Sequence, residues 1–222
     1  MSGAPSSAPT AGKVLHTAKA LLRKGLVEGT AGNLSARRPD GLIVTTPSAV
    51  DYEAMTLDDL LVVDLDGDVV EPAAAPGRSP TSELHLHLAC YRAYDDVQAV
   101  IHAHPVWATM FASARQALPA CIDEFAMYVG GDVRCAEYGQ SGSEALAANA
   151  VAALEGRGAA LLANHGLVAV GPSPAKVLHI VALVERVAQI AWGARALGGP
   201  VALPEQAQTD FAGVYEIMRA LP

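Results

Sequence analysis

The stretch VIHAH, residues 100–104, sets two histidines one residue apart at the end of an apolar run. Side chains alternate sides along a strand, so within 97–104 Val97, Ala99, Ile101 and Ala103 form an apolar face. His102 and His104 project together from the other. Strand rise separates them by about 7 Å at the backbone, and two rings can close that gap onto one ion at about 2.0–2.1 Å per zinc–nitrogen bond. Taken alone, the pair is more often a polar, half-exposed strand face. His165 adds to it: it lies in LLANHGL, at the tip of another apolar run and just before Gly166. There it is either a turn filler or a third nitrogen. Three protein nitrogens with a position left open form the ligand set of a catalytic zinc. His16, His85, His87 and His179 fall on predicted helices and are assigned to packing or surface. Glu83 and His87, four apart on one helix face, leave a Glu83–His87 metal pair open as a rival.

Around these residues lie candidate anion cradles. Glu83 follows SPTS and opens a helix, where an acid is favoured by the helix dipole and where free N–H groups and the hydroxyls of Thr81 and Ser82 could receive an anion. In GTAGNLS (29–35), Gly29 and Gly32 allow a close backbone approach, and Asn33 and Ser35 add donors. TTPSA (45–49) is the third. None is a Walker loop or a G-x-G-x-x-G turn, so a nucleotide lacks support.

The elements that position these residues alternate between strand and helix. Residues 12–24 have helical apolar spacing, with Gly25 as a stop. Residues 41–46 and 60–70 read as strands, the second folding back at Asp66-Gly67, before a proline-rich loop at 71–80. Residues 82–94 read as a helix with Ser82 as N-cap, 97–104 as a strand, and 159–170 as strand, turn, strand. From Ser173-Pro174 a long apolar-striped helix runs to residue 198. The expectation is one layered α/β domain over 12–222, preceded by a flexible tail at 1–11.

Composition narrows the partners. A 51% hydrophobic and 17% charged chain of 222 residues is globular and buries a sizeable core. Its net charge of −8, with no basic cluster, argues against nucleic acid. No run of about 18 uninterrupted apolar residues predicts a membrane span, and the N-terminus lacks the pattern of a secretory signal. Cys90, Cys121 and Cys135 are scattered, without a CxxC pair, which suits a reducing cytoplasm.

GLVEGTAGNLSAR, VTTPSAVDYEAMTLDDLLVVDLDG, SPTSELHLHLACYRAYDDVQAVIHAHPVWAT and LLANHGLVAVG together resemble the class II aldolase/adducin family, nearest to its fuculose-1-phosphate-type sugar-phosphate aldolases. The resemblance runs from about Val14 to Gly193. It implies a three-layer α/β/α fold around a central, largely antiparallel sheet, assembled as a homotetramer with sites at subunit boundaries. It implies Zn2+ on His102, His104 and His165, and Glu83 as a carboxylate that first touches the metal and then acts as acid and base. Phosphate contacts map onto Gly32, Asn33, Ser48, Thr81 and Ser82, and the counterpart of His87 is not a ligand. The implied reaction cleaves or forms a carbon–carbon bond of a ketose 1-phosphate, with a dihydroxyacetone-phosphate-like unit passing through a metal-stabilised enediolate.

Three positions depart from the family pattern. Ala49 stands where phosphate-binding members commonly carry glycine, a strained choice if φ is positive there. The mobile-loop tyrosine that serves as proton donor has Asp123 or Glu124 near its register, with Tyr128 further on. Tyr215 is a loose match to a C-terminal tyrosine that acts from a neighbouring subunit. The same scaffold also serves ribulose-phosphate 4-epimerases, which tend to carry Asp where this chain has Glu83, as well as dehydratases and decarboxylases. Adducin-like heads, a binding module without chemistry, lack the metal histidines.

Overall fold

The computed structural model describes residues 8–221. Short runs rich in Val, Ile, Leu and Ala form eight strands among them: β1 (Asn33–Arg37), β2 (Ile43–Thr45), β3 (Leu61–Val63), β4 (Val69–Glu71), β5 (Ala99–Ala103), β6 (Cys135–Ala136), β7 (Ala159–Leu162) and β8 (Gly166–Gly171). They join one sheet in the order β4-β3-β2-β1-β5-β8-β7-β6. Every neighbouring pair is antiparallel except β6 and β7.

Helices cover both faces. On one, α1 (Ala8–Arg23), α3 (Val106–Ser113) and α6 (Pro174–Ala194) pack Val14, Leu21, Phe111, Val177 and Val184 onto Ala99, Ile101 and Ala103 of β5. On the other, α2 (Leu84–Ala93) and α5 (Glu144–Leu154) set Leu86, Leu88, Leu146 and Ala150 against Val100, Val168 and Val170. The result is the expected α/β/α sandwich around a largely antiparallel sheet. A half-exposed strand face for His102 is thereby excluded, because α2 and α5 roof that side and His102 is fully buried. Two further helices, α4 (Asp123–Val129) and α7 (Glu205–Ala220), pack together.

Several boundaries differ from the sequence expectation. The first helix begins at Ala8 rather than 12, so the expected tail keeps only residues 1–7, which lie outside the described residues. GTAGNLS is a loop only as far as Gly32; β1 starts at Asn33, since β5 supplies the partner that the local sequence does not reveal. The turn between β3 and β4 is wider than Asp66-Gly67, because the Asp64 carboxylate accepts from the backbone N–H groups of Asp66, Gly67 and Asp68 at 2.9, 2.9 and 3.0 Å. Ser82 is not the N-cap of α2. That position is Glu83, after a turn in which Thr81 accepts from Leu84 N–H through its carbonyl (3.2 Å) and from Glu83 N–H through its hydroxyl (3.3 Å). α6 and the 3-10 turn after it are long and apolar enough to cross a bilayer by length and composition. The apolar stripe, Val177, Val181, Val184, Val187 and Ala191, is instead buried in the core.

Candidate metal centre and active site

The antiparallel pairing of β5 with β8 brings the three histidines together. His102 lies opposite Val168 and Ala103 opposite Leu167. The residue after β5 and the residue before β8 therefore meet at one end of the ladder, and these are His104 and His165. A tight turn closes the β7–β8 hairpin, with Asn164 at φ 57° and His165 N–H donating to Leu162 at 3.0 Å. His104 is steadied from the other side, where the Glu185 carboxylate of α6 accepts from Trp107 and Ala108 N–H at 3.0 and 2.8 Å and so fixes the start of α3.

Ring centroids lie 4.6 Å apart for His102–His104, 4.6 Å for His102–His165 and 5.0 Å for His104–His165. One nitrogen from each falls within 4.8 Å of the others, the one such group among the described residues. His102 Nδ1–H donates to the Leu167 carbonyl (2.8 Å), which leaves Nε2 with its lone pair facing inward. That Nε2 stands 2.7 Å from His104 Nε2 and 2.9 Å from Glu83 Oε2. Glu83 Oε1 lies 3.5 Å from His165 Nε2. Lone pairs aimed at one another and at a carboxylate repel unless a cation or proton lies between them. Bonds of about 2.0–2.1 Å place tetrahedral ligands about 3.3 Å apart, within the observed spread of nitrogens. The donor set fits a divalent cation.

Electrostatics keep the donors ready to bind. Burial, reinforced by the charges of His102 and His165, pushes His104 down to about 4, and burial lowers His165 in the same direction. Both are thus neutral ligands at neutral pH. For Glu83, burial opposes the charged form. A proton or cation on the inward-facing His102 nitrogen, together with the Asn33 amide, outweighs it and holds the carboxyl well below the usual carboxylate range.

Glu83, His104 and His165 open onto a cavity of about 170 Å³ that Gly32, Asn33, Ser48, Thr81 and Ser82 also line. Two cradle loops are stitched together: Pro47 bridges Pro80, Thr81 N–H donates to Thr46 (3.2 Å), and Ser48 N–H donates to Ser79 (2.9 Å). Gly32 is required twice over, by its φ of 76° and because a Cβ there would stand 2.8 Å from the His102 carbonyl oxygen. Asn33 lines the cavity and also reaches inward. Paired with His102 across the ladder, its amide donates to Glu83 (3.2 Å) and accepts from His87 (2.5 Å). Both His87 nitrogens are thus engaged, by Asn33 and by Ser35, which removes the Glu83–His87 metal pair.

Ala49 adopts φ 57° at the cavity rim, the conformation for which glycine is the usual residue. The left-handed region costs a residue with a Cβ about 1–2 kcal/mol, and glycine gives back about 0.4–1 kcal/mol of that in unfolded-state entropy. Ala49→Gly is therefore expected to raise the melting temperature by up to about 4 °C for a chain of this length. A fall in a thermal melt would contradict the strain.

The aldehyde-side residues are not brought to the cavity within the chain. Tyr215 is buried against Gly130, and its hydroxyl accepts from Arg219 at 3.0 Å, so packing of α7 on α4 consumes it. Asp123 and Glu124 begin α4, where Glu124 faces Arg186 and His179. Sequence reasoning missed Ser141, whose hydroxyl donates to Glu83 Oε1 at 2.9 Å. The available signal was its Gly-rich setting, GQSGS, between a strand and a helix.

Comparison with known proteins agrees with this geometry. Residues 12–192 match the Class II Aldolase and Adducin N-terminal domain. A 5-deoxy-D-ribulose 1-phosphate aldolase of Bacillus thuringiensis serovar kurstaki is 36% identical over 206 residues, covering 92% of this chain and 94% of that protein. An L-ribulose-5-phosphate 4-epimerase of Salmonella paratyphi C is 37% identical over 190 residues, 80% of this chain and 81% of that one. A solved structure of an L-fuculose 1-phosphate aldolase superposes with a TM-score of 0.89 at 38% identity, covering 95% of this chain and 98% of its own. The chain is an enzyme of the class II aldolase and adducin family.

Proposed function

We propose that this enzyme is a zinc-dependent aldolase that cleaves and forms the carbon–carbon bond of a ketose 1-phosphate, of the 5-deoxyribulose or fuculose type. The carrying observation is the convergence of three imidazole nitrogens and the Glu83 carboxylate on one wall of a cavity whose other wall holds the cradle loops. A bound divalent cation supplies Lewis acidity that stabilises negative charge developing on substrate oxygens. The chain does the rest. Gly32, Ser48, Thr81 and Ser82 receive the phosphate and orient the reacting end. In the direction of synthesis, Glu83 takes a proton from the hydroxymethyl carbon of a dihydroxyacetone-phosphate-like unit through a carboxylate oxygen. It returns that proton in cleavage. The aldehyde side is completed in a homotetramer: Val106 and Met110 are exposed beside His104, an apolar rim suited to a second copy. Zinc, a cytoplasmic setting for the free thiols of Cys90, Cys121 and Cys135, and the absence of nucleic-acid and membrane partners belong to the same reading.

The experiment is a panel of ketose phosphates with the metal-loaded enzyme. Free aldehyde with dihydroxyacetone phosphate is expected from a 1-phosphate. A ketose 5-phosphate converted to its epimer with no free aldehyde would make the enzyme a 4-epimerase, the reading that Glu83 in place of aspartate disfavours.

A further inference from the structure

The Glu83 carboxylate receives a donor on each oxygen besides the imidazoles. Ser141 Oγ–H donates to Oε1 at 2.9 Å, and Asn33 Nδ2–H donates to Oε2 at 3.2 Å. The Asn33 arm continues into the core. The Asn33 amide oxygen only accepts, so His87 Nε2–H donates to it (2.5 Å). His87 Nδ1 is then an acceptor for the Ser35 hydroxyl (2.7 Å), which accepts in turn from Tyr91 (2.8 Å). Asn33, Ser35, His87 and Tyr91 are all buried beside an apolar layer of the core. Polar groups there are costly unless fully satisfied, and these satisfy one another in a fixed direction. Their spacing places them. Glu83, His87 and Tyr91 recur every four residues along one stripe of α2, and Asn33 and Ser35 alternate on β1 to face it.

The other arm comes from the loop between β6 and α5. Gly142 sits at φ 77°, where a Cβ would stand 3.0 Å from the Ser82 carbonyl oxygen, so the loop rests against the phosphate cradle. Its far end is tied down by Ser143, which caps α5 by accepting from Leu146 N–H at 3.1 Å.

We propose that Ser141 and His87 are positioning residues that hold the two oxygens of the Glu83 carboxylate in one orientation, from the loop and from the core, as the carboxylate leaves the metal to admit substrate. The proposal rests on the aldolase reading. A carboxylate released from a cation would otherwise swing among rotamers, and its productive geometry would be lost between turnovers.

The test compares native chain, Ser141→Ala, Ser141→Thr, His87→Leu, His87→Gln and Glu83→Gln. Each is loaded with cobalt(II) for its visible absorption and with zinc for steady-state kinetics. One metal per chain is expected throughout. In Ser141→Ala and His87→Leu the cobalt band is expected to move towards that of Glu83→Gln, and kcat to fall about ten- to hundredfold with KM changed less than about threefold. Ser141→Thr and His87→Gln, which keep a donor, should stay within about threefold of native kcat. Ser141 lies on an exposed loop, so its two variants read the proposal even if His87→Leu fails to fold. Cobalt spectra of Ser141→Ala superimposable on native overturn the proposal regardless of turnover. Absence of native turnover on every ketose phosphate counts instead against the aldolase reading.

Discussion

Replacing His102 and His104 together by alanine is expected to strip the metal and abolish catalysis while leaving the fold in place. The two rings supply two of three nitrogens, and His165 alone, on a turn, offers a single bond. Metal per chain should fall from about one to below about a tenth in elemental analysis, because affinity depends on a preformed multidentate site. Loss of Lewis-acid stabilisation, worth several kcal/mol, should lower kcat/KM by about a thousandfold or more. The strand survives for a separate reason: Ala99, Ile101 and Ala103 anchor β5 from the opposite face, and its backbone ladder to β1 and β8 is untouched. Full metal occupancy in the double variant would place the ion elsewhere.

Glu83→Gln should separate metal binding from turnover. Glutamine has the same shape, and its amide oxygen can still accept from Ser141 or Asn33, so the packing is kept. What disappears is a negative charge that a proton or cation at the imidazole cluster and the Asn33 amide hold ionised against burial. A neutral amide cannot take a proton from carbon, and loss of a general base costs about 10²–10⁴ in kcat. Metal content is expected to remain near one per chain because His102, His104 and His165 are intact. A variant with near-native kcat would reduce Glu83 to an acid at the start of a helix.

What could be read in the sequence was what a single element determines. Period two fixed the shared side of His102 and His104 and the apolar opposite face, and both hold in the sheet. Ser-Pro marked the start of α6, and the alternation of strand and helix implied the layered domain. The long-range pairings were not legible. Nothing local shows that Asn33 is the ladder partner of His102, so the link its amide makes between His87 and Glu83 was not legible. Glu83 was placed in a helical first turn. Its carboxylate is spent instead on side chains from β5, β1 and the Ser141 loop, and it sits at the helix boundary. Tyr215 could be located by its distance from the chain end, but its burial depends on how α7 docks on α4, which no local pattern encodes.

The most direct measurement is an anomalous difference map at the zinc edge from crystals grown with zinc. The account predicts one strong peak per chain about 2.0–2.2 Å from a nitrogen of each of His102, His104 and His165. A peak that lacks any one of those three rings, or a map with none at this end of the sheet, would contradict it.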